Sequence, residues 1–165
     1  MATVLIIGYG NPGRLDDGLG PALAEIFERK QLEGVTTDAD YQLTVEDAVQ
    51  VANYDVVVFA DAAVTGCGPF WVKRIYPAGE VGGFSTHGID PHSVLALAKE
   101  LFHAEPRAYL LGIRGYEFDE FGEGLSAAAA ANLGEAARYL EQAIGQGEFP
   151  EVRRDVADAV APDPR

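Results

Sequence analysis

Two aspartates stand side by side, Asp16 and Asp17, immediately after the glycine-rich stretch "GYGNPGRL". A third, Asp61, closes the apolar run "VVVFAD", and His87 sits in "GGFSTHGID" just ahead of a segment with helical periodicity. Two carboxylates and an imidazole brought to one place form a mixed oxygen and nitrogen donor set, suited to a borderline divalent ion such as nickel or zinc. Each group also has a plainer reading. Asp16 or Asp17 could cap the following helix, where an acid suits the positive end; Asp61 could form a turn; His87 could be a hydrogen-bonded loop histidine. His92, in the first turn of the same helix, could approach that edge, whereas His103 at its far end suits the helix dipole and needs no function.

The elements around these residues decide whether they can meet. "TVLIIG" is a continuous apolar run ended by glycine, the pattern of a strand buried on both faces. "GLGPALAEIFERK" follows with Leu19, Leu23, Ile26 and Phe27 at helical spacing, and Pro21 is tolerated in the first turn. A second unit runs through "VTTDAD" and "TVEDAVQVA" to the strand "DVVVFADAAVTG", and "FWVKRIY" alternates like an edge or half-exposed strand. Asp90 as N-cap with Pro91 at the first helical position predicts a helix over Pro91–Phe102. "RAYLLGIR" is a further buried strand, and Ser126 caps a last helix. The alternation predicts a single doubly wound, mostly parallel α/β sheet with helices on both faces. Residues 1–147 would form that domain. Residues 148–165 lose periodicity and gain proline and charge, so a flexible tail is expected. In such a sheet the working loops lie at the carboxyl ends of the strands, where Asp16 and Asp17, Asp61 and His87 are all expected.

Charge narrows the partners. Twelve Lys and Arg against 26 Asp and Glu give a net charge of −14, which opposes nucleic acid and anionic membranes and leaves a cationic ligand, a metal ion or a basic protein segment. No stretch approaches the ~18 apolar residues of a membrane span, no basic leader is evident, and the single cysteine, Cys67, excludes an internal disulfide. A cytoplasmic monomer is expected, with Cys67 an incidental turn thiol.

"GYGNPG" satisfies the G-x-G-x-x-G dinucleotide pattern, but "RLDD" intervenes before the helix and puts two acids where a pyrophosphate would sit. The glycines are therefore expected to let backbone pass close to a bulky ligand or partner. The same six residues are similar to the opening of bacterial peptidyl-tRNA hydrolases, whose Thr-Arg-His-Asn segment is replaced here by Arg14, Leu15, Asp16 and Asp17; the acidity also opposes tRNA.

Four ordered blocks, "GYGNPGRLDDGLG", "DVVVFADAAVTG", "FSTHGIDPHSVLALA" and "LLGIRGYEFDEFGEGLS", resemble the hydrogenase maturation endopeptidases over most of residues 3–145. That family trims the C-terminal extension from the large-subunit precursor of nickel-iron hydrogenases. The resemblance implies that Asp17, Asp61 and His87 are catalytic and metal-contacting. It also implies that they meet nickel already inserted in the precursor, the free enzyme being expected to carry none. The family often has Glu at the place of Asp17, so the reach here is one methylene shorter. It often has Asp-Gly-Gly-Thr where this chain reads "DADYQL", which bears on the hydrogenase type served and leaves the roles of Asp38 and Asp40 open. The alternatives are a non-catalytic metal-sensing or precursor-binding module on the same fold and, less favoured, a nucleotide-binding or peptidyl-tRNA hydrolase-like protein.

Overall fold

Runs of Val, Ile and Leu too short for helices and unbroken by polar residues are stable only between two layers of helix, and the chain folds accordingly. A computed structural model describes residues 1–79 and 89–153. Its five strands are β1 (Val4–Tyr9), β2 (Val35–Asp40), β3 (Val56–Ala63), β4 (Phe70–Ile75) and β5 (Arg107–Arg114). They form one sheet in the order β2-β1-β3-β5-β4, parallel throughout except for β4, which runs antiparallel to β5 at one edge. The edge position is the one its alternating sequence predicts.

Helices α1 (Leu19–Lys30) and α4 (Ala127–Gln146) cover one face, and α2 (Asp47–Val51) and α3 (Pro91–Phe102) cover the other. Alternation along the strands builds both cores. Val4, Ile6, Val56 and Val58 face α1 and α4, while Leu5, Ile7, Val57 and Phe59 face α2 and α3. Phe27 and Phe59 are among the largest fully buried side chains, each worth roughly 1.5–3 kcal/mol over exposure.

The caps are those the sequence predicts: Ser93 N–H donates to the Asp90 carboxylate at 2.8 Å, Pro91 fills the first helical position of α3, and Ser126 Oγ accepts from Ala129 N–H at 3.2 Å to start α4.

The segment after Gly147 differs from the expected flexible tail in its first six residues. Phe149 is buried and stacks on Tyr109 with ring centroids 4.9 Å apart. Val152 exchanges backbone hydrogen bonds of 2.9 Å with Val72 of β4, and the Tyr139 hydroxyl donates to the Pro150 carbonyl at 2.6 Å. One aromatic on a non-periodic stretch is enough to dock it, because β4 is an edge strand whose outer backbone groups can pair. Residues 154–165 lie outside the described part. No helix among the described residues is long and apolar enough to cross a membrane.

Candidate functional site

The strand order reverses direction between β1 and β3: β1 leads by α1 to β2 on one side, and the chain then returns to place β3 on the other. Loops leaving the two strands diverge there and open a crevice at the carboxyl edge of the sheet. Pairing of β1 with β3 ends at Gly8 and Ala60, so Asp61 is the first β3 residue beyond it. Asp61 forms no turn, because β3 continues beside β5 to Ala63.

Asp17 reaches the same crevice from the loop after β1. That loop ends in a 3-10 turn, Leu15–Gly18, entered through Leu15 in the left-handed region at φ 53°. The conformation costs a non-glycine residue about 1–2 kcal/mol. It is held by Leu15 N–H donating to the Gly122 carbonyl at 3.0 Å and Asp17 N–H donating to the Arg14 carbonyl at 3.1 Å.

The loop carries its own anion. Asn11 N–H donates to Asp17 Oδ2 at 2.8 Å and Gly13 N–H to Asn11 Oδ1 at 2.8 Å, so amides that would cradle a phosphate are already engaged. The glycines differ from the expectation of a close ligand approach. A Cβ on Gly8 would lie 2.0 Å from the Gly20 carbonyl oxygen, and one on Gly10, at φ 139°, would lie 2.1 Å from that of Asp17. They admit the chain's own α1 start and acid turn against the strand, and no helix-phosphate geometry results.

Asp61 and Asp17 are electrostatically joined. Burial, with the charge of Asp17 adding to it, raises the Asp61 pKa from 3.8 to about 7 against the lowering effect of the Ala62 N–H, which donates to Asp61 Oδ1 at 2.8 Å. Tyr9, at the end of β1 on the same face, is also held above its usual value, by burial first and then by the charges of Asp61 and Asp90. Asp61, Tyr9 and the start of α3 thus share one corner. His87 lies outside the described residues.

Asp16 does something other than capping or ligation. Its carboxylate is fully buried and accepts from Tyr116 N–H at 2.8 Å, Glu117 N–H at 3.0 Å, Ser126 N–H at 2.7 Å and Ser126 Oγ at 2.8 Å. Burial alone would raise its pKa, but these four donors hold it below the usual carboxylate value. Neither Asp16 nor Asp17 caps α1, whose N-cap is Gly18 without a side-chain bond. Asp16 instead staples the acid turn to the loop between β5 and α4, a role no local sequence signal carries because its donors lie about a hundred residues away. His92 turns its Nδ1 to the Tyr76 carbonyl at 2.8 Å, and His103 takes the left-handed C-cap of α3.

A further acidic group forms on the α2 side. Asp38, Asp40 and Asp47 each bring one carboxylate oxygen within 4.8 Å of the others. Burial, with the charges of Asp38 and Asp40 adding, raises the Asp47 carboxyl, although Thr44 N–H donates to it at 2.8 Å.

No protein-family model matches the chain, and no curated protein matches it. Solved structures do. The hydrogenase maturating endopeptidase HybD from E. coli superposes with a TM-score of 0.70 at 22% identity, over 92% of this chain and 98% of that one. The nickel-iron hydrogenase maturation protease HycI from Thermococcus kodakarensis gives 0.67 at 24% identity, over 87% and 93%. A hydrogenase 2 maturation peptidase from a Thaumarchaeota archaeon gives 0.62 at 21%, over 87% and 98%. The chain has the hydrogenase maturation endopeptidase fold. On this fold the carboxyl edge carries Asp17 on the loop after β1 and Asp61 near the end of β3, with Tyr9 as the last residue of β1.

Proposed function

We propose that this protein is an endopeptidase that removes the C-terminal extension of a nickel-iron hydrogenase large-subunit precursor after nickel insertion. The observation that carries the reading is the pairing of Asp17 with Asp61 at the strand-order reversal, on a fold shared with proteins named for that activity. Two carboxylates in electrostatic contact repel when both are charged and gain most from a cation placed between them. With His87 the set is two oxygens and one nitrogen, a donor chemistry that fits nickel presented by the precursor.

In this reading the precursor's nickel is part of the substrate, and bound there it polarises a carbonyl or a water. The chain's own residues do the rest. Asn11 N–H fixes Asp17 and Ala62 N–H fixes Asp61, so both acids are oriented before substrate arrives. A cation held at this site would favour the charged form of Asp61, its proton passing to solvent. Asp16 holds the turn that aims Asp17. Water adds to the scissile carbonyl, the C–N bond breaks, and the departing amine takes up a proton. On this reading the enzyme works in the cytoplasm, as a monomer, on the precursor.

The test compares nickel-loaded and nickel-free precursor incubated with chelator-stripped protein, each product being weighed by mass spectrometry. Loss of the extension from the loaded precursor only is expected. Equal trimming of both would refute nickel recognition, and an extension retained in both would remove the protease reading in favour of a binding module.

A further inference from the structure

Beside the acid turn a groove of about 500 Å³ runs between the first turns of α1 and the outer strand β2. Its apolar wall is made by Pro12, Leu15, Pro21 and Leu125, and Glu25, Glu28 and Asp38 line it as well. A smaller hollow of about 170 Å³ shares Pro12, Pro21 and Ala39 with it and continues to Gly10, Asp40 and Tyr41. The trough therefore ends at Gly10, whose backbone packs directly on Asp17.

Three independent features describe what fits it. β2 is the outermost strand on this side, paired only to β1, so its other edge can accept an added strand. The apolar wall gives an extended chain something to bury. The lining includes four acids, Glu25 and Glu28 from α1 and Asp38 and Asp40 from β2, the last two also grouped with Asp47, and no Lys or Arg among the described residues; Glu25 pairs with Arg29 at 2.6 Å on the exposed surface. The chain's excess of 14 negative charges acts in the same direction.

We infer that this trough binds an extended, basic segment of the protein substrate next to its scissile bond, added along β2 with Arg or Lys side chains directed at Glu25 and Glu28. The inference rests on the protease reading and specifies its substrate: the bond to be cut is delivered to Asp17 and Asp61 along the edge strand. Leu15 and Leu125 form the wall because Asp16, between Leu15 and Asp17, is stapled to Ser126. The same buried carboxylate thus sets both the trough and the acid turn.

Two measurements test it. The first is steady-state cleavage of nickel-loaded precursor by the double variant Glu25→Gln/Glu28→Gln, with Glu135→Gln/Glu141→Gln on the surface of α4 as a control of equal charge change. The trough variant is expected to raise KM roughly three- to tenfold with kcat unchanged, as loss of two partly solvated charge contacts would. The control is expected to match the parent. Equal changes in both, or no change in the trough variant, would overturn the assignment. The second does not depend on cleavage: isotope-labelled protein is titrated with a synthetic ten-residue peptide of alternating Arg and Ala, and with its Glu and Ala counterpart. Amide shifts at Thr37, Ala39 and Leu125 with the Arg peptide alone are expected, and their absence, or shifts elsewhere, would refute the trough. If the parent fails to cut any precursor while these shifts appear, the protease reading fails and the basic-peptide site stands.

Discussion

Asp16 has no exposed surface and accepts three backbone N–H groups and one hydroxyl, so Asp16→Ala leaves four part-buried donors without that partner. A loss of roughly 3–5 kcal/mol in urea unfolding at pH 7 is expected. Its lowered pKa fixes the sign with pH: the contribution is present above the unfolded value of 3.8 and disappears as pH falls through the still lower folded value. The difference between parent and variant should therefore shrink in acid; a gap that is constant with pH would show that the carboxylate charge is not what matters. Asp61 has the opposite sign. Its pKa is raised from 3.8 to about 7, so the charged form is disfavoured in the fold and the penalty grows from pH 4 to 7 and is complete above. Asp61→Asn should stabilise the metal-free protein by up to roughly 2–4 kcal/mol above pH 7 and hardly at all below pH 4. The same change should lower kcat/KM for precursor roughly a hundredfold or more. Thermal melts across that range and one activity assay decide the point, and full activity with an unchanged melt would assign Asp61 to neither site nor strain.

At the scale of elements, the strands and helices were legible because apolar runs, caps and turn residues agree locally. Asp90 with Pro91 and Ser126 with its following alanines gave helix starts that the structure places at the same residues. Asp17 and Asp61 could be placed at one edge because parallel strands put their carboxyl ends there. What could not be read were interactions that no local signal specifies: Asp47 beside Asp38 from the next element and, far apart in the chain, Asp16 on Ser126 and Phe149 on Tyr109. The last of these changes an expectation about truncation. Removing residues 148–165 deletes the Phe149 stack and the Val152 pairing to β4, and should lower the melting temperature, whereas removing 154–165 leaves every described contact in place. Phe149→Ala isolates the main term and is expected to cost roughly 3 kcal/mol, since the ring is buried. A truncation after Gly147 that melts with the full chain would mean that the segment docks without contributing.

Across the whole molecule the sign of the salt response follows from what salt can screen. Attractive pairs among the described residues are Arg29–Glu25, Lys30–Glu141, Lys99–Glu105 and Arg138–Glu135, and all eight side chains are at least a third exposed. Such pairs contribute about 0–1 kcal/mol each, so screening them costs little. Repulsion is the larger quantity: 26 acids against 12 bases crowd a molecule of 165 residues, the charge of Asp17 raises Asp61, and Asp38, Asp40 and Asp47 bring carboxylate oxygens within 4.8 Å of one another. Raising ionic strength shortens the screening length from about 10 Å at 0.1 M to about 3 Å at 1 M, which relieves the long-range repulsion before it touches close pairs. The melting temperature at pH 7.5 is therefore expected to rise with sodium chloride between 0.05 and roughly 0.5 M, and to rise less in Asp61→Asn, which has one of the repelling charges removed. Millimolar calcium or magnesium should not reproduce the full effect if diffuse repulsion is its origin. A melting temperature that falls with salt would show that the four exposed pairs outweigh the excess negative charge, and a parent and variant with identical salt slopes would show that Asp61 does not share in it.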